Sequence, residues 1–135
     1  MIDNLKQAYN EWNNKSLVLE NFNGFIEITT PFVDMHHDFI QLYFIRESDN
    51  NFIITDDGHI LNELAMLGID IKNSKKRSGF FQTSLNIFGV KYNEKTDELF
   101  VIFSNVRDYP EQQDRLIQCL LRISGMCSYI QQLRD

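Results

Sequence analysis

The stretch from Asp38 to Leu67 constrains the fold of this chain more than any other part of the sequence. Two runs rich in β-branched and aromatic residues, 39–45 and 52–55, flank a polar cluster at residues 47–51. Runs of this type predict strands, and the polar residues between them predict a turn. The stretch is therefore predicted to begin as a β-hairpin.

A helix is predicted directly after the hairpin, over residues 58–67. Its apolar positions recur at helical spacing: Ile60, Leu61, Leu64 and Leu67. Asp56 or Asp57 is expected to cap the first turn, because a carboxylate accepts hydrogen bonds from the free backbone N–H groups there. Gly68 is expected to end the helix.

The remaining segments complete an α+β pattern with the order α-β-β-β-α-α-β-β-α. It comprises an antiparallel three-stranded meander, a second β-hairpin, and helices packed on the sheet. The further elements are predicted at residues 2–13 (helix), 25–32 (strand), 79–88 (helix or strand), 90–92 and 99–104 (strands) and 111–133 (helix). The spacing of Phe81, Leu85 and Phe88 favours a helix for the ambiguous segment. A chain of 135 residues fits one domain, 1–135.

Two helices carry further expectations about packing. The single tryptophan, Trp12, lies on the apolar stripe of the first helix and is predicted to anchor the core. The apolar stripe of the last helix is formed by Leu116, Leu120, Ile123, Cys127 and Ile130. This stripe is expected to pack on the sheet, and a homodimer through the same helix is the alternative.

Ionisable side chains are predicted to converge at one edge of the sheet. If Arg46 faces Phe52, antiparallel pairing puts Phe39 opposite His59 and brings the start of one strand beside the end of the next. The groups at this edge are Asp34, His36, His37, Asp38, Asp56, Asp57 and His59. Carboxylate and imidazole groups bind Mg²⁺, Mn²⁺ or Zn²⁺. A divalent-metal site made of Asp38, Asp56, Asp57, His37 and His59 is therefore one hypothesis, and plain cap and turn chemistry is the other.

No recognised catalytic motif supports an enzyme. A nucleophile elbow and a phosphate-binding glycine loop are both absent from the sequence. No catalytic residue is assigned, no cofactor beyond the metal hypothesis is implied, and a binding protein is favoured over an enzyme.

The charge of the chain argues against general affinity for nucleic acids. The net charge is −6 and the pI is about 5.0, whereas binding to phosphate backbones needs a basic surface. Against this, the order helix, helix, hairpin over residues 58–104 also matches a winged helix, so DNA binding stays an alternative. Lys75, Lys76 and Arg77 form a basic loop that is either solvated or binds an acidic partner.

Cysteine usage and hydropathy indicate a cytoplasmic protein. Cys119 and Cys127 lie eight residues apart on one predicted helix, about 12 Å of rise, which is too far for a disulfide. Both are expected to be reduced thiols. There is no signal-peptide pattern and no apolar run that could span a bilayer, so no membrane association is expected.

Several short motifs follow one another in the sequence: Thr30-Pro31-Phe32, Asp38 leading an apolar strand, Thr55-Asp56-Asp57-Gly58, and a helix that ends near Gly68-Ile69. In this order they resemble a small bacterial and phage family, the DUF1828 domain. The resemblance spans roughly residues 25–105. It implies a shared fold and marks Asp38, Asp56, Asp57 and Gly58, but it implies no activity.

The function expected from the sequence is the binding of another protein. Small size, acidic charge and the missing catalytic motif support this expectation. A sharper form is an inhibitor of a host nucleic-acid enzyme, such as a defence nuclease, whose basic groove an acidic surface could occupy. A metal-dependent hydrolase or nuclease that uses the Asp/His edge is the alternative.

Overall fold

The structure is a computed structural model in which residues 1–127 are described. Its helices are α1 (Ile2–Ser16), α2 (His59–Met66), α3 (Lys75–Phe88) and α4 (Tyr109–Ser124). Its strands are β1 (Val18–Phe22), β2 (Phe25–Val33), β3 (Phe39–Ser48), β4 (Asn51–Thr55), β5 (Lys91–Asn93) and β6 (Glu98–Phe103). Short 3-10 turns, Val106–Asp108 and Gly125–Cys127, precede and follow α4. The α+β class is confirmed.

All described strands lie in one antiparallel sheet with the order β1-β2-β3-β4-β6-β5. The predicted meander is β2-β3-β4 and the predicted second hairpin is β5-β6. Pairing of β4 with β6 joins the two units into one sheet. Arg46 pairs with Phe52, as the sequence analysis assumed. The prediction that Phe39 faces His59 is wrong, because strand pairing ends at Tyr43 and Thr55 and His59 begins a helix.

Strand β1 was missed by the sequence analysis. It forms a hairpin with β2 through Asn23 and Gly24, and Gly24 has a φ of 94°. Asn-Gly is a strong signal for a tight hairpin turn, because both residues tolerate a positive φ. The signal was obscured because Glu20 and Asn21 interrupt the apolar pattern of the short strand.

The core lies between one face of the sheet and the helices α2, α3 and α4. Alternate strand residues such as Ile28, Leu42, Ile54 and Leu99 point into it and are fully buried. The predicted stripe of the last helix packs here, with Leu116, Leu120 and Ile123 buried. Ile130 and the end of the helix predicted to reach residue 133 lie outside the described residues.

Two local predictions need correction. Trp12 was predicted to anchor the core, but it is half exposed, and no residue of α1 is buried. The amphipathic pattern correctly predicts a helix, but it does not say whether the same chain supplies a surface for the apolar stripe. The basic residues Lys75, Lys76 and Arg77 were predicted to lie in a loop, but they form the first turn of α3.

The segment at residues 79–88 is helical, as its apolar spacing favoured, and Gly89 ends the helix with a φ of 66°.

Both cysteines are free thiols, with Cys119 buried. Among residues 1–127, no helix has both the length and the apolar character needed to cross a membrane.

Candidate functional site

Asp56 is the structural centre of the turn between β4 and α2. Its side chain is buried. Oδ1 accepts hydrogen bonds from the backbone N–H groups of Gly58 and Leu99, each at 2.9 Å, and Oδ2 accepts from the N–H of Ile60 at 3.2 Å. One carboxylate thus holds the turn, the start of α2 and the start of β6 together. The prediction that Asp56 or Asp57 caps α2 is confirmed for Asp56.

The protonation of Asp56 is set by opposing effects. Burial raises its pKa, since a charged carboxylate loses its hydration. The three backbone N–H donors and the nearby His59 oppose this shift without cancelling it. Because both carboxylate oxygens already accept hydrogen bonds from the backbone, the role of Asp56 is structural.

Gly58 allows the β5-β6 turn to lie against this segment. Its φ is 78°, and a Cβ atom built at this position would lie 2.8 Å from the carbonyl oxygen of Thr96. A side chain could not fit there without moving the backbone of the neighbouring turn. The absence of a side chain therefore brings Thr96 and Asp97 next to the start of α2.

Asp34 organises the opposite wall in a similar way. Its buried carboxylate accepts hydrogen bonds from the backbone N–H groups of His36 at 2.8 Å and Asp38 at 3.1 Å. Its other oxygen lies 3.4 Å from Nε2 of His59. Burial alone would raise the pKa of Asp34, but the two backbone donors and His59 outweigh it and lower the pKa.

A small polar network links this loop to α2. Nε2 of His36 lies 2.8 Å from Oε2 of Glu63, and Nδ1 of His59 lies 3.9 Å from Oε1 of the same residue. Glu63 was missed by the sequence analysis, although it stands four residues after His59, a spacing that places two side chains on one helix face. The network fixes the loop 34–38 on α2 and shapes the edge of the groove beside it.

A groove of about 700 Å³ lies between these walls and the uncovered face of the sheet. This acidic groove is lined by Thr29, Asp38, Phe39, Gln41, Tyr43, Asp56, Asp57, Gly58, His59, Asn62, Thr96 and Asp97. Of the predicted metal-site residues, Asp38, Asp56, Asp57 and His59 converge on it, whereas His37 does not line it. Thr96 and Asp97 were not foreseen, because they come from a turn some 40 residues away in sequence and no local pattern marks them.

Two tyrosines in or near the acidic groove have raised pKa values. Burial raises the pKa of Tyr43, which lines the groove, and the charges of Glu27 and Asp57 raise it further. Tyr92 lies outside the lining but donates a hydrogen bond to Asp97, and burial together with this bond and nearby carboxylates raises the pKa of Tyr92 to about 12. Burial is the largest cause of both shifts, and the carboxylates add to it because a phenolate is disfavoured beside negative charge.

Two acidic residues of the groove have a left-handed backbone. The φ values are 58° for Asp57 and 62° for Asp97. Aspartate and asparagine tolerate this conformation better than other side-chain-bearing residues. The two carboxylates are thus held at fixed positions by tight turns.

No group of three or more His, Cys, Asp or Glu side chains within residues 1–127 is arranged to hold a metal ion. Asp56, one of the predicted ligands, uses both oxygens for backbone hydrogen bonds. The metal site stays a prediction that ion titration can decide.

The predicted partner-binding residues Lys75, Lys76 and Arg77 lie away from the groove, at the start of α3. Ser74 Oγ accepts a hydrogen bond there from the backbone N–H of Arg77 at 3.2 Å. The role of these residues in partner binding also stays a prediction.

Comparison with known families agrees with the ordered motifs around the groove. The model of the family described as "Domain of unknown function DUF1828" matches residues 30–123. The chain belongs to the DUF1828 family. No curated protein and no solved structure matches it.

The DUF1828 match contains all groove-lining residues except Thr29. It runs from Thr30, near the end of β2, through most of α4, and it includes both Asp34 and Asp97. Helix α1, strand β1 and the first part of β2 precede the matched region. Most of the groove therefore lies within the DUF1828 match.

Proposed function

We propose that this DUF1828 protein binds a basic surface of another protein and that the acidic groove is its binding site. The observation that carries the proposal is the composition of the groove, which combines the carboxylates of Asp38, Asp57 and Asp97 with the exposed ring of Phe39. Arginine side chains suit such a site, because a guanidinium group pairs with carboxylates and stacks on aromatic faces.

The electrostatics of the whole chain support the same class of partner. A net charge of −6 on a chain of 135 residues favours encounter with a positively charged surface. Proteins that act on nucleic acids present such surfaces, since they must bind phosphate groups. A nucleic-acid enzyme whose basic groove is occupied by this protein would be inhibited, and a host defence nuclease is the sharper form of the proposal.

The proposal is tested with a variant that removes the charge of the groove and keeps its shape. Asp38→Asn, Asp57→Asn and Asp97→Asn are combined, because asparagine is isosteric with aspartate and tolerates the left-handed backbone of the last two positions. The matched control combines Asp3→Asn, Asp49→Asn and Asp114→Asn, which are exposed positions outside the groove. Both triple variants have the same net charge.

The probe is a labelled nona-arginine peptide followed by fluorescence anisotropy at several salt concentrations. The groove variant is expected to bind the peptide about tenfold more weakly than wild type, because three exposed ion pairs contribute a few tenths of a kcal/mol each or somewhat more. The control variant is expected to bind like wild type. Equal losses in both variants would show that only net charge matters and would overturn the groove as the site.

A second experiment identifies the class of protein that binds the groove. Immobilised wild type, groove variant and control are compared for capture of proteins from a bacterial lysate. A basic protein that is retained by wild type and control but not by the groove variant would support the proposal. If that protein is a nuclease, loss of its activity on addition of wild type, but not of the groove variant, would support inhibition.

A metal-dependent hydrolase is the second candidate, favoured by the convergence of Asp38, Asp57 and His59 on one cavity. A metal bound only by the folded state would raise the melting temperature. The test is a thermal melt with Mn²⁺, Mg²⁺ or Zn²⁺, with Asp57→Asn beside the wild type. A rise that the variant lacks would favour the hydrolase.

DNA binding through the helix, helix, hairpin order of α2, α3 and β5-β6 also stays a prediction, and a DNA titration would test it.

A further inference from the structure

Helix α1 exposes an apolar stripe that no other part of residues 1–127 covers. The exposed fractions are 69% for Ile2, 63% for Leu5, 65% for Tyr9 and 50% for Trp12. An isolated helix of this length is only marginally stable in water. Its 3-4-3 spacing forms a narrow seam, which suits contact with one further element. The stripe is therefore available to a partner.

The uncovered face of the sheet carries a matching apolar surface. An apolar row crosses five strands at the end of the sheet away from the acidic groove: Phe22, Phe25, Ile45, Ile53 and Ile102. Three pairs of this row lie directly opposite each other on neighbouring strands: Phe22 and Phe25, Ile45 and Ile53, and Ile53 and Ile102. Phe25 and Ile45 connect them, because each is the neighbour in sequence of a residue in the pair Ile26 and Phe44. Helices α2, α3 and α4 pack on the other face, so they leave this row uncovered.

Within the described residues, helix α1 leaves its own row uncovered. Only Leu17 separates α1 from β1, so α1 is attached where β1 begins, at Val18. The row starts at Phe22, where β1 ends, about 13 Å further along the strand. The stripe is exposed, and so are Phe22, Phe25 and Ile102 of the row, whereas Ile45 and Ile53 are partly buried.

A second copy of the chain would bring the two surfaces together. Strand β1 is an edge strand, so one side of its backbone is available for pairing. If two copies pair β1 antiparallel about Glu20, Val18 of one copy lies opposite Phe22 of the other. The two Glu20 side chains then face each other, a repulsion that the apolar contacts must outweigh. The C-terminal end of α1 in each copy lies beside the row of its partner, and two-fold symmetry makes the contact twice.

The sizes of the two surfaces fit this arrangement. The stripe spans about 15 Å along the helix, and the row spans about 19 Å across five strands. Phe22, Phe25 and Ile102 are 41%, 36% and 45% exposed. With about 200 Å² for each large side chain, stripe and row together expose roughly 750 Å² per copy, close to the ~800 Å² per partner of a standard interface.

We propose that two copies of this chain form a two-fold dimer in which α1 of each copy packs its apolar stripe on the apolar row of the other. This interface differs from a dimer through the C-terminal helix, whose stripe is buried in the core up to Ile123. It also uses other residues than the acidic groove, so it stands or falls independently of the proposed function.

The test combines sedimentation equilibrium with the fluorescence of the single tryptophan. Trp12 is half exposed in one copy and would become buried in the dimer, so its emission maximum is expected to shift to shorter wavelength as the protein concentration rises. The variants are Leu5→Glu on the stripe and Ile102→Glu on the row, both at exposed positions. The matched control is Asn4→Glu, which adds the same charge next to Leu5 but away from the stripe.

Each variant is expected to weaken dimerisation at least about 100-fold, because it would bury an unpaired charge. The control is expected to dimerise like wild type, and unchanged circular dichroism would show that all variants fold. A monomeric wild type at high micromolar concentration would overturn the proposal. So would a dimer that survives either variant, or a dimer without a shift of the tryptophan emission.

Discussion

The carboxylate of Asp56 accepts a hydrogen bond from the backbone N–H of Leu99 at 2.9 Å, across 43 residues of sequence. The same carboxylate caps α2 through Ile60. A single side chain thus fastens the first half of the domain to the second at the floor of the acidic groove. The stability of the fold and the shape of the groove consequently depend on the same residue.

Asp56→Asn is expected to lower the free energy of unfolding by about 2–4 kcal/mol. An asparagine keeps one acceptor oxygen, but its NH₂ group faces a backbone N–H and leaves that buried donor unsatisfied. Urea denaturation followed by circular dichroism measures the change. Asp57→Asn is the control, because Asp57 is exposed, and it should change stability by less than about 0.5 kcal/mol. Equal effects at the two positions would contradict the assigned role of Asp56.

Gly58→Ala should destabilise the protein more than Gly68→Ala. Both glycines have a left-handed backbone, with φ values of 78° and 81°. A Cβ at Gly58 would lie 2.8 Å from the carbonyl oxygen of Thr96, whereas a Cβ at Gly68 would meet no atom within 4 Å. Costs of about 3 kcal/mol and about 1 kcal/mol are expected, the second reflecting the left-handed backbone alone. Equal losses in denaturation experiments would show that the turn at Thr96 moves freely.

The dependence of stability on pH should reveal Asp34. Its pKa in the folded protein is lowered, so its stabilising contribution is fully present above its unfolded pKa of about 4 and is lost as the pH falls through the folded value. Asp34→Asn should therefore destabilise most at neutral pH, and its difference from wild type should shrink in acid. Urea denaturation between neutral pH and acid measures this.

Wild type and variant must be compared directly, because the raised pKa of Asp56 has the opposite sign. A raised folded pKa gives a contribution that is present in acid and is lost as the pH rises. Both proteins contain Asp56, so its effect cancels in the difference. A difference that stays constant with pH would contradict the ionised, hydrogen-bonded state of Asp34.

Cys119 should react with thiol reagents only when the protein unfolds. Its side chain is fully buried, and burial together with the charge of Asp56 raises its pKa to about 12, although Arg122 opposes the shift. The reactive thiolate is therefore scarce as well as inaccessible. Labelling of a Cys127→Ser variant should follow the unfolding rate, and a Cys119→Ser variant with the half-buried Cys127 should react faster. Rapid labelling of native Cys119 would contradict the packing of α4.

Local patterns were enough for most of the secondary structure and for part of the groove. Runs of β-branched and aromatic residues predicted β2, β3, β4 and β6. Apolar residues at 3-4 spacing predicted the helices, because burial on one face of a helix imposes this period. The motif Thr55-Asp56-Asp57-Gly58 was correctly expected to cap α2. Arg46 and Phe52 pair in the register that the sequence analysis assumed, because their hairpin is local in sequence.

Only the tertiary structure decided what lies beside these elements. The pairing of β4 with β6 brings Thr96 and Asp97 to Gly58, and no periodicity encodes a contact between distant turns. Asp56 and Asp57 are neighbours in sequence, yet one is buried and the other lines the groove from an exposed position. Trp12 lies on an apolar stripe, as the sequence shows, but no other element among the described residues covers that stripe. A sequence determines which side chains share a face, whereas the packing of whole elements determines what that face meets.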